Sequence, residues 1–190
     1  MIAIDRSILE ANQDDPEAGW GWDHIKKEYV YGYKIHVTVD AHTELPLTLC
    51  VTKAGVHDSK EFYRLYTNVK SYETRFPTRF YTPDKTYDCS SIRKTLFKDN
   101  VKPVIKTSKT RIKPRYPESF LKRYAKRISV ERFFSRLKEY LDLKKLQIYG
   151  KNNVLIYSYI IIIGMLLMGY VNHCFGFSPH SVKTFLRRFT

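Results

Sequence analysis

Cysteine is scarce in this chain and badly placed for cross-linking. Cys50, Cys89 and Cys174 are the only three, an odd number with no C-x-x-C spacing. That excludes a disulfide framework and a thiolate zinc site, and it fits reduced thiols in the cytosol. An apolar leader is also missing, because Asp5 and Arg6 interrupt the first residues. Internal repeats and low-complexity tracts are absent. Long apolar runs are reduced to one, VLIYSYIIIIGMLLMGYV, whose 18 residues at 154–171 just reach membrane-spanning length. Tyr157, Ser158, Tyr159 and two glycines interrupt it. With no second run beside it, the segment is expected to be a helix buried all round in a core, with no membrane as partner.

Acidic residues become rare after the first third. Residues 1–61 hold 6 Lys/Arg against 11 Asp/Glu, whereas residues 62–190 hold 27 against 8, within a net charge of +14. The asymmetry points to a polyanion contacted by the later part, with nucleic acid the leading candidate. At 190 residues the chain supports one substantial core.

Along the chain, MIAID alternates as a first strand, with Asp5 beside the core. Residues 10–28 show no period and read as an excursion loop, in which Trp20 and Trp22 either anchor the loop or stack on a base. Tyr33, Ile35, Val37 and Val39, then Leu45, Leu47, Leu49 and Val51, alternate as an antiparallel hairpin. Asp58 and Glu61 precede Phe62, Leu65, Tyr66 and Val69 as a capping box would, although His57 and Asp58 could also form a metal pair. Phe80 and Tyr81 make a short strand ending at Asp84. Ile92 and Leu96 mark a helix that Asp88 caps, and VKPVI at 101–105 is a further strand, reached by a parallel crossover. Between Lys102 and Arg127 lie ten Lys/Arg and one acid. Lys106, Lys109, Arg111, Lys113 and Arg115 are therefore expected to meet DNA phosphates. The alternation gives an α/β layered sheet with helices on its faces.

One stretch organises the rest: Tyr124 to Lys138, YAKRISVERFFSRLK. As one helix at about 100° per residue, it places Tyr124, Arg127, Glu131 and Lys138 within roughly 60° of one another. Val130, Phe133, Phe134, Leu137 and Leu141 form a neighbouring apolar stripe. Asp5, Asp84 and Glu131 then sit on separate elements, distributed as carboxylates that share a pair of hard divalent ions must be.

The spacing Y-x2-R-x3-E-x6-K resembles the Y-R-E-K signature of DDE transposases of bacterial and archaeal insertion sequences. AIDRSILEA, YGYKIHV, LPLTLCVTKAGVHDS and PDKTYDCSSIRKTL resemble further blocks of that catalytic domain, in order. The resemblance implies a ribonuclease-H-like (retroviral-integrase-like) fold over residues 1–171, with a mixed five-stranded sheet flanked by helices, followed by a basic tail at 172–190. It implies Asp5, Asp84 and Glu131 as catalytic residues and ligands of two Mg2+ or Mn2+ ions, and Tyr124, Arg127 and Lys138 as DNA-binding. It further implies cleavage and strand transfer of double-stranded DNA at transposon ends and target, by a homodimer, in the nucleoid-associated cytoplasm. The family's N-terminal end-recognition domain is not seen ahead of Asp5, so a truncated transposase is expected. The alternative is a degraded remnant that binds DNA without sequence preference. Two features depart from the family pattern. Its aspartate-lysine-glycine-tyrosine run reads Asp84, Lys85, Thr86, Tyr87 here, and a β-branched residue would strain a turn that needed positive φ. The span from Asp84 to Glu131 is also too short for a large β-rich insertion, so a hairpin-forming cut is not implied.

Overall fold

The computed structural model describes residues 1–72, 78–107, 114–141, 143 and 146–189. Six strands form one mixed sheet: β1 (Ile2–Glu10), β2 (Gly19–Asp23), β3 (Glu28–Asp40), β4 (Pro46–Lys53), β5 (Phe80–Pro83) and β6 (Lys102–Pro103). β3 is long enough to serve two neighbours on one edge. Its first part, Glu28–Gly32, pairs with β2, and Tyr33–Val39 pairs with β4. On its other edge lies β1, antiparallel, followed by β5 and β6, both parallel to their neighbours. The expected five strands are therefore present as β4-β3-β1-β5-β6, and β2 is an addition.

That addition corrects the reading of residues 10–28 as a loop. Gly21 and Gly32 lie where other backbone comes close: a Cβ on Gly21 would stand 2.4 Å from the Ala54 carbonyl oxygen, and one on Gly32 2.0 Å from that of Leu9. Inward side chains are thus excluded at these positions, and the alternation that marks a strand disappears with them. Trp20 and Trp22 do not anchor a loop. They stand on β2, 56 % and 42 % exposed.

Helices cover both faces. α1 (Asp58–Tyr72) and α2 (Ser90–Lys98) lie on one side, over a cluster of Ile2, Ile4, Phe62, Leu65, Tyr81, Ile92 and Leu96. α3 (Glu118–Ala125) leads into α4 (Ile128–Tyr140) on the other side, followed by α5 (Lys151–Cys174) and α6 (Val182–Phe189). There Tyr33, Ile35, Val37 and Val39 of β3 meet Val130, Phe133 and Leu137 of α4 and Val154, Ile162 and Met165 of α5. Within the segment expected as a basic tail, α6 packs back on α4 and α5 through Val182.

Because both faces are covered, the polar row of β3 is buried and must be satisfied internally. Lys34 donates to Asp58 at 2.9 Å and to the Val56 carbonyl at 2.7 Å, Arg6 Nε reaches Asp58 at 3.2 Å, and His36 pairs with Thr52 at 3.0 Å. Asp58 therefore spends its carboxylate on two cations, not on a helix cap. Asp88 likewise pairs with Arg93, and Cys89 occupies the N-cap of α2.

α5 also departs from expectation. It is a helix, but only 28 % of its apolar window is buried, and Ile156, Ile160, Ile163, Leu167 and Tyr170 are more than half exposed. By length and composition it could cross a membrane. Its other face, through Val154, Ile162 and Met165, belongs to the core.

Truncating the centre of α4 tests this packing. Phe133→Ala, at a fully buried position, is expected to cost about 3–5 kcal/mol, read as a lower urea midpoint at unchanged slope. Ile160→Ser on the open face of α5 should leave that midpoint nearly in place.

Candidate active site

Asp5 and Asp84 are brought together by strand register. Ile4 pairs with Pro83 in the parallel β1–β5 ladder, so Asp5 and Asp84 follow at adjacent positions on strands about 4.8 Å apart. Asp84 opens a 3-10 turn over Lys85–Tyr87, and its side chain caps nothing. Thr86 in that turn is not among the residues of positive φ, so the β-branched side chain is accommodated without strain.

The Y-R-E-K segment is not one continuous helix. α3 ends at Ala125, and α4 starts at Ile128 with Arg127 as its N-cap residue. Tyr124 and Glu131 therefore stand on different helices, with Arg127 at the joint. From there the guanidinium donates through Nη1 to Asp5 Oδ2 at 3.0 Å and through Nη2 to Glu131 Oε1. Given the fixed span of the guanidinium fork, the two carboxylates lie within roughly 8 Å of each other.

Asp5, Asp84 and Glu131 line a single cleft of about 500 Å³ together with Arg6, Ser7, Ile25, Arg127, Phe134, Ser135 and Lys138. Burial pushes the Asp5 carboxyl up to about 6, against the backbone N–H of Arg6 and the charge of Arg127, with Asp84 adding to the rise. The enclosure is not complete, since 21 % of the Asp5 side chain is exposed. Burial disfavours the Arg127 charge, but Asp5, Glu131 and Asp84 outweigh it and raise its pKa. Lys138 is lowered, mainly by burial. Tyr124 is raised, again by burial first. Its ring carries Lys106 Nζ at 4.4 Å and closes a stack with Phe120 and Tyr116 along α3.

Of the expected DNA-binding residues, Arg127 and Lys138 line the cleft. Tyr124 adjoins Arg127 and carries Lys106 on its ring, and Arg115 is exposed ahead of α3. Lys109, Arg111 and Lys113 fall outside the described residues. The sequence reading missed Arg6, whose only signal is its place next to Asp5, and Ile25, which carries no motif at all. Among the described residues, no three His, Cys, Asp or Glu side chains are set as a metal cage. What stands between Asp5 and Glu131 is the Arg127 cation, and the donors around it are the hard carboxylate oxygens that Mg2+ and Mn2+ take.

Two aspartates at adjacent positions of interior strands, with a glutamate brought to the same cleft by a helix, make up the acidic centre of this mixed sheet. A family model described as the transposase DDE domain matches residues 1–167, and the chain belongs to that family. Among solved structures it is similar to piggyBac transposase, seen by cryo-EM in a synaptic complex with hairpin DNA, at 15 % identity and a TM-score of 0.64. The likeness covers 98 % of this chain and 50 % of that one, so the chain spans about half the length of the relative. The fold is the ribonuclease-H-like mixed sheet flanked by helices. No curated protein matches.

The buried Asp5 generates a signed prediction. A carboxylate whose pKa rises on folding binds more protons folded than unfolded, so its contribution to stability falls as pH climbs from about 4 to about 6. Asp5→Asn is therefore expected to be more stable than the parent at pH 7. The gain should shrink to nothing near pH 4, as followed by urea melts at four pH values.

Proposed function

We propose that this chain is the catalytic part of a transposase that cuts double-stranded DNA at the ends of a mobile element and joins those ends to target DNA. The observation that carries the reading is the convergence of Asp5, Asp84 and Glu131, from three separate elements, on one cleft. In this role the three acids would hold two Mg2+ or Mn2+ ions, which their hard oxygen donors suit. When bound, a metal pair activates the attacking oxygen and stabilises the leaving one.

Arg127 and Lys138 of the cleft act on the DNA. Arg127 neutralises the acids in the free protein. As a phosphate approaches, its planar fork can turn two N–H groups to the phosphate oxygens. Lys138, across the cleft, supplies a second cation to the same strand, and Tyr124, Lys106 and Arg115 extend the contact along the backbone. In cleavage, a water oxygen attacks phosphorus, the bond to the 3′ oxygen breaks, and that oxygen leaves as a hydroxyl. In joining, this hydroxyl attacks a target phosphorus and displaces the target's own 3′ oxygen. A homodimer would handle the two ends, in the cytoplasm on the nucleoid.

Nicking of supercoiled plasmid with Mn2+ tests the chemistry. The parent should nick, and Glu131→Gln should lose at least about a hundredfold, roughly 2.7 kcal/mol of barrier. Independently of activity, Mn2+ should raise the melting temperature of the parent and leave that of Asp84→Asn unmoved. A parent that binds DNA but shows neither response would be a degraded remnant acting as a binding module.

Affinity for duplex DNA should fall with salt at a slope of about −0.9 per phosphate contacted on a log-log plot. Lys138→Ala and Arg115→Ala are each expected to make the slope shallower by about 1, as measured by fluorescence anisotropy at several salt concentrations.

A further inference from the structure

The strand that the sequence reading missed forms an arm over the cleft. β1 pairs with β3 only as far as Glu10 opposite Gly32, while β3 begins four residues earlier, at Glu28. The β2–β3 hairpin therefore runs roughly 13 Å past the end of β1. That is the end of the sheet at which β5 delivers Asp84. Trp20 faces Tyr31 and Trp22 faces Tyr29 across this arm, edge to face, with ring centroids 5.2 and 5.1 Å apart. Tyr29 and Tyr31 share the side of β3 that carries Val37, the partner of Asp5, so all four rings stand on the catalytic face of the sheet.

The tip of the arm is held in one shape. The Asp23 carboxylate accepts from the backbone N–H of Ile25 at 2.8 Å and of Lys26 at 3.2 Å, and Lys27 takes a φ of 57°. Lys26 is folded back onto Glu10 and Glu28. Ile25 is left alone at the apex, 86 % exposed, the most exposed large apolar side chain among the described residues. It also forms part of the wall of the cleft with Asp5, Asp84 and Glu131. A turn ordinarily takes polar residues, and an aliphatic side chain so exposed contributes nothing to the core.

We propose that the β2–β3 hairpin is a DNA-deforming arm, in which Ile25 wedges into the base stack beside the phosphate held in the cleft and Trp22 and Tyr29 receive an unstacked base. This rests on the reading of the cleft as a DNA site. Lysine and arginine contacts to phosphates hold a duplex without opening it, whereas an apolar side chain entering a base step unstacks and kinks it. Stacking of the freed base on an aromatic ring offsets part of that cost and tolerates any sequence. The kink would turn the scissile phosphate toward the acids.

The test uses a duplex carrying 2-aminopurine at every fourth position, which brightens wherever its stack is opened, with Ca2+ in place of Mg2+ to prevent cutting. Each protein is added to saturation, judged by anisotropy of the same sample. The parent should raise the fluorescence about threefold, Ile25→Ala should bring the saturated complex back near the free duplex, and Ile25→Phe should keep the rise. A saturated Ile25→Ala complex as bright as the parent, or a saturated parent complex no brighter than free DNA, would overturn the wedge while leaving the DNA site standing. Absence of any anisotropy change with the parent would overturn both.

Discussion

The arrangement of the cleft depends on one ion bridge, Arg127 between Asp5 and Glu131. It ties the first strand to the start of a helix more than 120 positions later, at the joint between α3 and α4. Without a cation, three carboxylates could not stand in one half-buried cleft, because each disfavours ionisation of the others. The Asp5 pKa is raised mainly by burial, with the Asp84 charge adding to the rise and Arg127 offsetting only part of it.

The second constraint is the covering of the sheet on both faces. It forces Lys34, His36 and Arg6 into the interior on the α1 side, where Asp58 takes two of them as charged partners and its own pKa is lowered despite burial. Asp5 and Arg6, neighbours in sequence, thus project to opposite faces of the sheet, one to Arg127 and the acidic cleft and one to Asp58. The backbone N–H of Arg6 also donates to Asp5 at 2.8 Å. The two polar clusters are joined through one strand.

The three acids of the cleft could be picked out from the sequence because each belongs to a readable local pattern: Asp5 within an alternating strand, Asp84 just after a short one, Glu131 beside an apolar helical stripe. The break between α3 and α4 was not, since Lys126 and Arg127 are neither Gly nor Pro and both keep near-helical dihedrals. β2 was hidden because close backbone approach at Gly21 and Gly32 removes the inward residues on which periodicity depends. The half-exposure of α5 was hidden for a different reason. A helix that is apolar all round carries no stripe to say which face the core takes.

The most direct test of the account is a crystal of the chain grown with a short duplex and Mn2+, examined by anomalous diffraction at the manganese edge. The account requires two peaks about 4 Å apart, ligated by Asp5, Asp84 and Glu131, with Arg127 swung away from the acids onto a phosphate. Manganese bound elsewhere, with the Asp5–Arg127–Glu131 bridge intact beside the DNA, would contradict it.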